Sequence, residues 1–298
     1  MLSVWRQCLC AVLLIAGSHA NGQRNFDEVE ITPLMVSEGL YMLTGAGGNM
    51  GLSLGEDGVV LIDDQFAPLS EKILASIEAL GGDRPRFVVN THWHGDHTGG
   101  NAHFHDSGSL IVAQENVRAR MSRENKMSAT RIVPPSPAAA LPVITFSAEM
   151  SFHWNQDEIQ VTHVGNAHTD GDAIIRFVNA NVLHAGDLFF NGSYPFIDVS
   201  SGGNVEGMLA GLDLLLSLAD EETKIIPGHG PLATKADLQN HREMLATITR
   251  SVERLIAADK PLEAILAERP TAAYDNKFGG GFISPERIVA LVYESLTQ

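Results

Sequence analysis

Thr91-His92-Trp93-His94-Gly95-Asp96-His97-Thr98-Gly99-Gly100 sets four potential metal ligands, His92, His94, Asp96 and His97, within six positions. The segment follows an apolar run, Phe87-Val88-Val89, that reads as a buried strand. Residues two apart on an extended chain point the same way, so His92 and His94 can offer imidazoles to one cation, while Asp96 and His97, beyond the flexible Gly95, can face a second. Clustered imidazoles and a carboxylate have no reason to converge in a purely structural loop, and their spacing points to two metals.

Upstream of this cluster, Leu40–Thr44, 50–54 and Gly58–Ile62 read as three short strands joined by glycine-bearing turns, a hairpin-rich sheet edge. Asp63 and Asp64 end the third. Residues 69–80 carry apolar side chains at helical spacing and stop at Gly81-Gly82; 87–90 is the strand that delivers the histidines. Downstream, a strand at 110–113 and a helix over 114–124 lead into 125–142, which holds four prolines and no clear period. That stretch reads as a long loop, of the kind that often covers a site. Strands are expected at 143–146 and 158–164, the latter delivering His168, and at 173–178 and 181–184, the latter running into Ala185-Gly186-Asp187. Asn204 can cap a helix through Leu218, and Lys224–Ile226 is a short strand ahead of Pro227-Gly228-His229. The C-terminal third reads as helical over 235–258, 262–268 and Pro285–Leu296. Elements in this order predict an α+β fold, most simply two mixed sheets flanked by helices.

The 298-residue chain opens with a charged start (Arg6), an apolar run from Cys8 to Ala16 and a small-residue site at Ser18-His19-Ala20, a secretory signal pattern with cleavage expected after Ala20. The run is too short to span a bilayer and no later stretch is long enough, so the expected location is periplasmic or secreted. Cleavage would leave 21–298 without a cysteine, since Cys8 and Cys10 both lie in the leader. Any metal site must then use nitrogen and oxygen donors. The net charge of −16, or −17 without Arg6, repels phosphate backbones and argues against nucleic acid as substrate or partner. Without a Pro/Gly/Ser-rich linker, 21–298 reads as one domain with a C-terminal helical extension. The oligomeric state is not legible.

Four strand ends thus present ligands: His92 to His97, His168, Asp187 and His229. Their order and the strand pattern between them resemble the metallo-β-lactamase superfamily over nearly all of the expected mature chain. The resemblance implies a four-layer αββα sandwich, with His92, His94 and His168 on a first metal and Asp96, His97 and His229 on a second. Asp187 would bridge them, Asp96 would double as a proton shuttle, and Asp63 would be the buried aspartate supporting the metal loop. Nitrogen and oxygen donors suit two Zn²⁺ and tolerate iron or manganese. The implied chemistry is attack by metal-bound hydroxide on a small ester, lactone, thioester or β-lactam.

Zinc β-lactamases of the commonest subclass carry a cysteine where this chain has Asp187, and a nearby lysine that pairs the drug's carboxylate. No Lys or Arg occurs between Arg176 and Lys224. Neutral lactones or esters are therefore expected to be better substrates than β-lactams. The bridging aspartate resembles glyoxalase II thioesterases and lactonases, without the basic C-terminal cluster suited to glutathione; the ribonuclease branch is disfavoured by the acidity. The main rival is a diiron redox protein of the same fold, and a scaffold with a dead site is the third reading. Phe190 and Tyr194, with Phe189 and Phe196, can line a pocket or pack a core. His184 either supports Asp187 or finishes a strand, turn chemistry explains Asp170 and Asp172 as well as function does, and His103, His105, His153 and His163 read as structural or solvent-exposed.

Overall fold

The computed structural model describes residues 25–298 apart from Ala129; the expected signal segment 1–20 lies outside the described residues. Its strands are β1 (Thr32–Ser37), β2 (Leu40–Thr44), β3 (Met50–Gly55), β4 (Gly58–Ile62), β5 (Pro85–Val89), β6 (Leu110–Gln114), β7 (Asn125–Lys126) and β8 (Ile132–Val133). Then come β9 (Ile144–Phe146), β10 (Glu149–Trp154), β11 (Asp157–Val164), β12 (Asp172–Phe177), β13 (Val182–His184) and β14 (Lys224–Ile226). One sheet runs β1-β2-β3-β4-β5-β6-β9, antiparallel as far as β4 and parallel from there. The other runs β10-β11-β12-β13-β14, antiparallel until the parallel β13–β14 pair.

The layering follows from strand periodicity, because successive side chains leave opposite faces of a sheet. Val60, Ile62, Val89 and Val112 of the first sheet meet Ile159, Val161, Ile175 and Ile226 of the second in one apolar cluster. Their immediate neighbours Val59, Leu61, Val88 and Ile111 pack outward on Ile73 and Ile77 of the helix Ser70–Ala79. On the far side, Ile174, Leu183 and Ile225 pack on the helices Val205–Leu218, Lys235–Ile256 and Pro285–Leu296. The order is helix, sheet, sheet, helix, as expected. Asn204 caps its helix by accepting from the backbone N–H of Glu206 and Gly207, and Thr234 with Asp237 forms a capping box on the next.

Three local expectations change. Strands β1 and β10 have no counterpart in the sequence reading: each is an edge strand, and each buries one side chain, Val36 and Phe152 respectively. The 125–142 stretch is not bare loop, since β7 and β8 form a hairpin and Ala138–Ala140 makes a 3₁₀ turn. The helix before it is shorter than 114–124, covering Glu115–Met121. Among the described residues no helix is long and apolar enough to cross a membrane.

His241, on the helix Lys235–Ile256, is fully buried beside Phe189 and Phe278, and neither ring nitrogen has a hydrogen-bond partner. Burial, aided by the charge of Lys277, pushes its pKa down to about 3. The folded state then binds this proton less readily than the unfolded chain, whose histidine titrates near ~6.5, so the contribution to stability is complete above that pH and is lost as pH falls towards 3. At pH 4.5 the loss should be roughly 2–3 kcal/mol. Denaturant titrations of wild type and His241→Leu at pH 4.5 and 7.5 check this: the variant should lose measurably less stability on acidification, and equal losses would show that the ring titrates normally.

Candidate metal centre

The seven residues singled out as ligands reach one rim of the sandwich from the C-terminal ends of β5, β11, β13 and β14. Parallel strands leave such ends open to a ligand crevice. Their donor atoms form two groups, each with all members within 4.8 Å of one another: His92, His94, His168 and Asp187, and Asp96, His97 and His229. Asp187 faces both. Its Oδ2 lies 3.8 Å from His92 Nε2 and 3.5 Å from His168 Nε2, and its Oδ1 lies 3.2 Å from His97 Nε2 and 3.5 Å from His229 Nε2. Asp96 Oδ2 is 3.5 Å from His229 Nε2 and 3.9 Å from His97 Nε2.

The outer contacts determine which ring nitrogens are bare. Asp63, in a left-handed backbone conformation (φ 60°), accepts hydrogen bonds from Thr91 N and Thr91 Oγ1, and its Oδ2 lies 2.7 Å from His97 Nδ1. The Nδ1 proton of His97 is thereby committed, so that in the neutral ring the lone pair is on Nε2. The Thr91 hydroxyl, having given its proton to Asp63, can only accept from His92 Nδ1 at 3.0 Å, which bares His92 Nε2 as well. His168 Nδ1 donates to the Phe196 carbonyl at 2.7 Å, and His94 Nε2 donates to Asp198 at 2.9 Å. The remaining atoms of that pair, His168 Nε2 and His94 Nδ1, face each other at 2.9 Å with no proton assigned to either. His92 Nε2, His97 Nε2 and Asp187 Oδ1 are likewise buried without a hydrogen-bond partner. Converging lone pairs of this kind fit a cation, whose tetrahedral bonds of about 2.0–2.2 Å would hold donors a little over 3 Å apart.

Electrostatics favour the metal-binding forms of most of the donors. Burial, reinforced by the charge of His97, holds His92 well below its usual range, and burial brings His168 down to about 4, so both stay neutral. Although burial opposes it, the surrounding imidazoles keep Asp187 ionised, His97 and His229 foremost. His97 is raised, against its burial, by Asp187, Asp63 and Asp96, and His229 likewise by Asp187 foremost; both rings favour a second proton, on Nε2 in His97, which a cation would have to displace.

Two glycines make the approach feasible. A Cβ on Gly48 would overlap the ring of His97, and one on Gly228 would overlap Asp187 Oδ1. Asn49 secures the His229 loop by donating to the carbonyls of Pro227 and Gly230 at 2.9 and 2.8 Å. His184 is a support rather than a donor to either group: Gly186 N–H donates to its Nδ1 at 3.2 Å, and its Nε2 faces the Asn49 carbonyl.

Above the donors opens a cavity of about 500 Å³ lined by Phe190, Tyr194 and Phe196 among others. Phe190 stacks on His229 with ring centroids 5.1 Å apart. Tyr194 offers only its ring, because its hydroxyl donates to Asp275 at 3.0 Å. Phe189 belongs to the core. Asp170 pairs with Arg120, and Asp172, the first residue of β12, accepts from Thr169 N and Oγ1; neither is in a donor group. His103, His105, His153 and His163 are in neither group. Sequence reasoning missed Asp198, Asn49 and Arg131. The last comes from the 125–142 segment to line the cavity, so the pocket does receive a cation although the interval from Arg176 to Lys224 holds none. None of the three lies in a spacing that would have announced it.

The family model described as the metallo-beta-lactamase superfamily matches residues 43–229. The metallo-beta-lactamase IND-1 of Chryseobacterium indologenes is 23% identical over 189 residues, 63% of this chain and 74% of its own. The alpha subunit of 2,4-dinitroanisole O-demethylase from Nocardioides sp. (strain JS1661) is 29% identical over 146 residues, 46% of this chain; the match spans only 40% of that relative's length. Among solved structures, the DIM-1 metallo-beta-lactamase superposes with a TM-score of 0.60 at 18% identity, covering 74% of this chain and 99% of its own. A double mutant of the sec-alkyl sulfatase PisA1 reaches 0.68 at 16% identity, covering 91% and 51%. With the family model matched across every one of the seven donors, the chain belongs to the metallo-beta-lactamase superfamily, a family of metal-dependent hydrolases.

Proposed function

We propose that the protein is an exported binuclear zinc hydrolase that cleaves a small ester, lactone, thioester or β-lactam. The observation that carries this reading is Asp187, whose two oxygens face ring nitrogens of two separate donor groups. His92, His94 and His168 would hold one zinc ion, Asp96, His97 and His229 the other, with Asp187 shared; iron or manganese suits the same donors. When bound, such ions supply a nucleophilic hydroxide near neutral pH and polarise the scissile carbonyl. The chain's own part is to orient and to move protons. Asp198, Asp63 and Thr91 lock the imidazole tautomers, and the apolar walls exclude water. Asp96, whose side chain is 32% exposed at the cavity, can pass a proton towards the leaving group.

A main activity as β-lactamase is the second reading, favoured by the likeness to IND-1 and DIM-1. The demethylase relative adds an aryl ether to the bonds worth assaying.

Metal analysis of the purified protein should find about two divalent ions per chain. Asp187→Ala should lower that number, and Asp198→Ala should weaken zinc retention by about 10–100-fold, as loss of a ligand's carboxylate partner does elsewhere. One ion per chain in the presence of excess zinc would overturn the two-metal reading, and reversible iron redox spectra without hydrolysis would favour the diiron rival.

Turnover should be tested on a lactone, a thioester, an aryl ester, an aryl methyl ether, a penicillin, a cephalosporin and a phosphodiester. The acyl substrates should be cleaved, chelation should abolish the activity, zinc should restore it, and His168→Ala should reduce it at least a hundredfold. The acidic chain should leave the phosphodiester intact. Preference for β-lactams by orders of magnitude would establish the second reading instead, and an acyl intermediate trapped on a protein side chain would refute direct attack by water.

A further inference from the structure

We propose that the buried ion pair of Arg120 and Asp170 is the positioning element for two imidazoles of the first donor group, His94 and His168. The proposal rests on the metal reading above and extends it to two residues outside both donor groups.

Arg120 is 9% exposed, and among the described residues it is the one arginine or lysine that is buried. Its Nε and Nη2 each donate to Asp170 at 2.6 Å, a bidentate fork that fixes direction as well as distance. In every other pairing of a lysine or arginine with a carboxylate among the described residues, one partner is more than half exposed. Replacing a buried pair by apolar groups of similar volume is often neutral or stabilising, so stability alone does not account for this one.

What the pair holds is the joint between two segments of the metal centre. Residues 167–170 and 198–204 are laced together: Asp198 N–H donates to the His168 carbonyl at 2.9 Å, Asp170 N–H to the Ser201 carbonyl at 2.9 Å, and Asn204 N–H to the Ala167 carbonyl at 2.8 Å. Asp198 accepts from Ser200 Oγ and Ser201 N, and its other oxygen orients His94. The Phe196 carbonyl, just before the second segment, holds His168 Nδ1. The aim of both rings therefore depends on how these two segments sit together. Asp170 is gripped from outside by the helix Glu115–Met121, where Arg120 takes its carboxylate and Asn116 Nδ2 donates to its carbonyl at 2.9 Å. The segments close tightly there: a Cβ on Gly202, left-handed at φ 77°, would stand 3.0 Å from Asp170 Cβ and 3.5 Å from Arg120 Nη2. His97 and His229 are secured elsewhere, by Asp63 and by the loop that Asn49 holds, so the effect of the pair falls on one donor group.

The test combines three measurements: zinc titration against a competing chromophoric chelator, urea unfolding of metal-free protein, and the low-field proton resonance of the His94 Nε2–H bonded to Asp198. The double variant Arg120→Met, Asp170→Leu should unfold near the wild-type urea midpoint. It should nevertheless release one of its two zinc ions about tenfold more readily, the lower end of what losing an outer partner costs a metal site, and its low-field resonance should shift or vanish. Arg120→Lys should recover part of the affinity, because a point charge replaces the fork. Arg242→Ala, which opens the more exposed pair with Asp213, should leave zinc affinity and resonance unchanged. Wild-type affinity for both ions with a wild-type resonance in the double variant overturns the proposal. Equal weakening of both ions together with lost metal-free stability also overturns it, marking the pair as general support for the fold. If wild type binds no zinc, the metal reading falls and the resonance in metal-free protein decides alone: its loss in the double variant upholds the positioning role, and its persistence overturns it.

Discussion

The carboxylate of Asp63 organises the centre. It sits at the end of β4, fully buried, and ties the chain that leaves β5 through Thr91 N, Thr91 Oγ1 and His97 Nδ1. One side chain thereby decides the protonation geometry of two imidazoles on different donor groups: His97 directly, and His92 through the threonine hydroxyl. A buried, fully bonded carboxylate is stiff as well as charged, since every lone pair it withdraws would leave a partner unsatisfied at a cost of about 1–3 kcal/mol. The left-handed backbone at Asp63 and Gln65 is the local strain accepted to aim these groups; Gln65 in turn donates to the Gly48 carbonyl and accepts from Ala46 N.

Such a centre opposes folding unless something offsets it. Five imidazoles and two carboxylates converge in a space from which most water is excluded. A cation bound by the folded state and not by the unfolded chain stabilises the fold by about 4 kcal/mol at a thousand times its dissociation constant. That is enough to offset two or three unsatisfied polar groups. On the proposed reading, metal retention and stability would be two measures of one equilibrium, and changes at Asp63 or Asp198 would act on both.

How much could be read from the chain depended on whether the signal was local. The donors His92 to His97 lie in one short stretch after β5, the last two on the helical turn Gly95–Thr98, and a strand with two buried faces such as β4 is a run of β-branched and aliphatic residues. Edge strands carry no such signal. Strand β1 contains Pro33 and mostly exposed side chains, and β10 alternates Glu149, Ser151 and His153 with only Phe152 buried. The hairpin of β7 and β8, two residues a side, is too short for any period to show. Asp198 lies 104 positions from the histidine it orients, and Asn49 lies 178 from the proline carbonyl it holds, so their roles exist only once the sheets have packed.

The floor and the walls of the cavity obey different constraints. His92, His97, His168 and Asp187 are at most 6% exposed, and the three imidazoles are each held by a hydrogen bond on their Nδ1 side, so this part tolerates little change. The walls come from the hairpin that carries Met127 and Arg131 and from the turn after Gly279-Gly280-Gly281, where Phe282 is 88% exposed at the rim. Substitutions there cost little stability, because exposed side chains forfeit few contacts. Chemistry is thus fixed by residues the fold cannot spare, and substrate choice by residues it can, which is why membership of the family constrains the metal centre far more tightly than the bond that is cleaved.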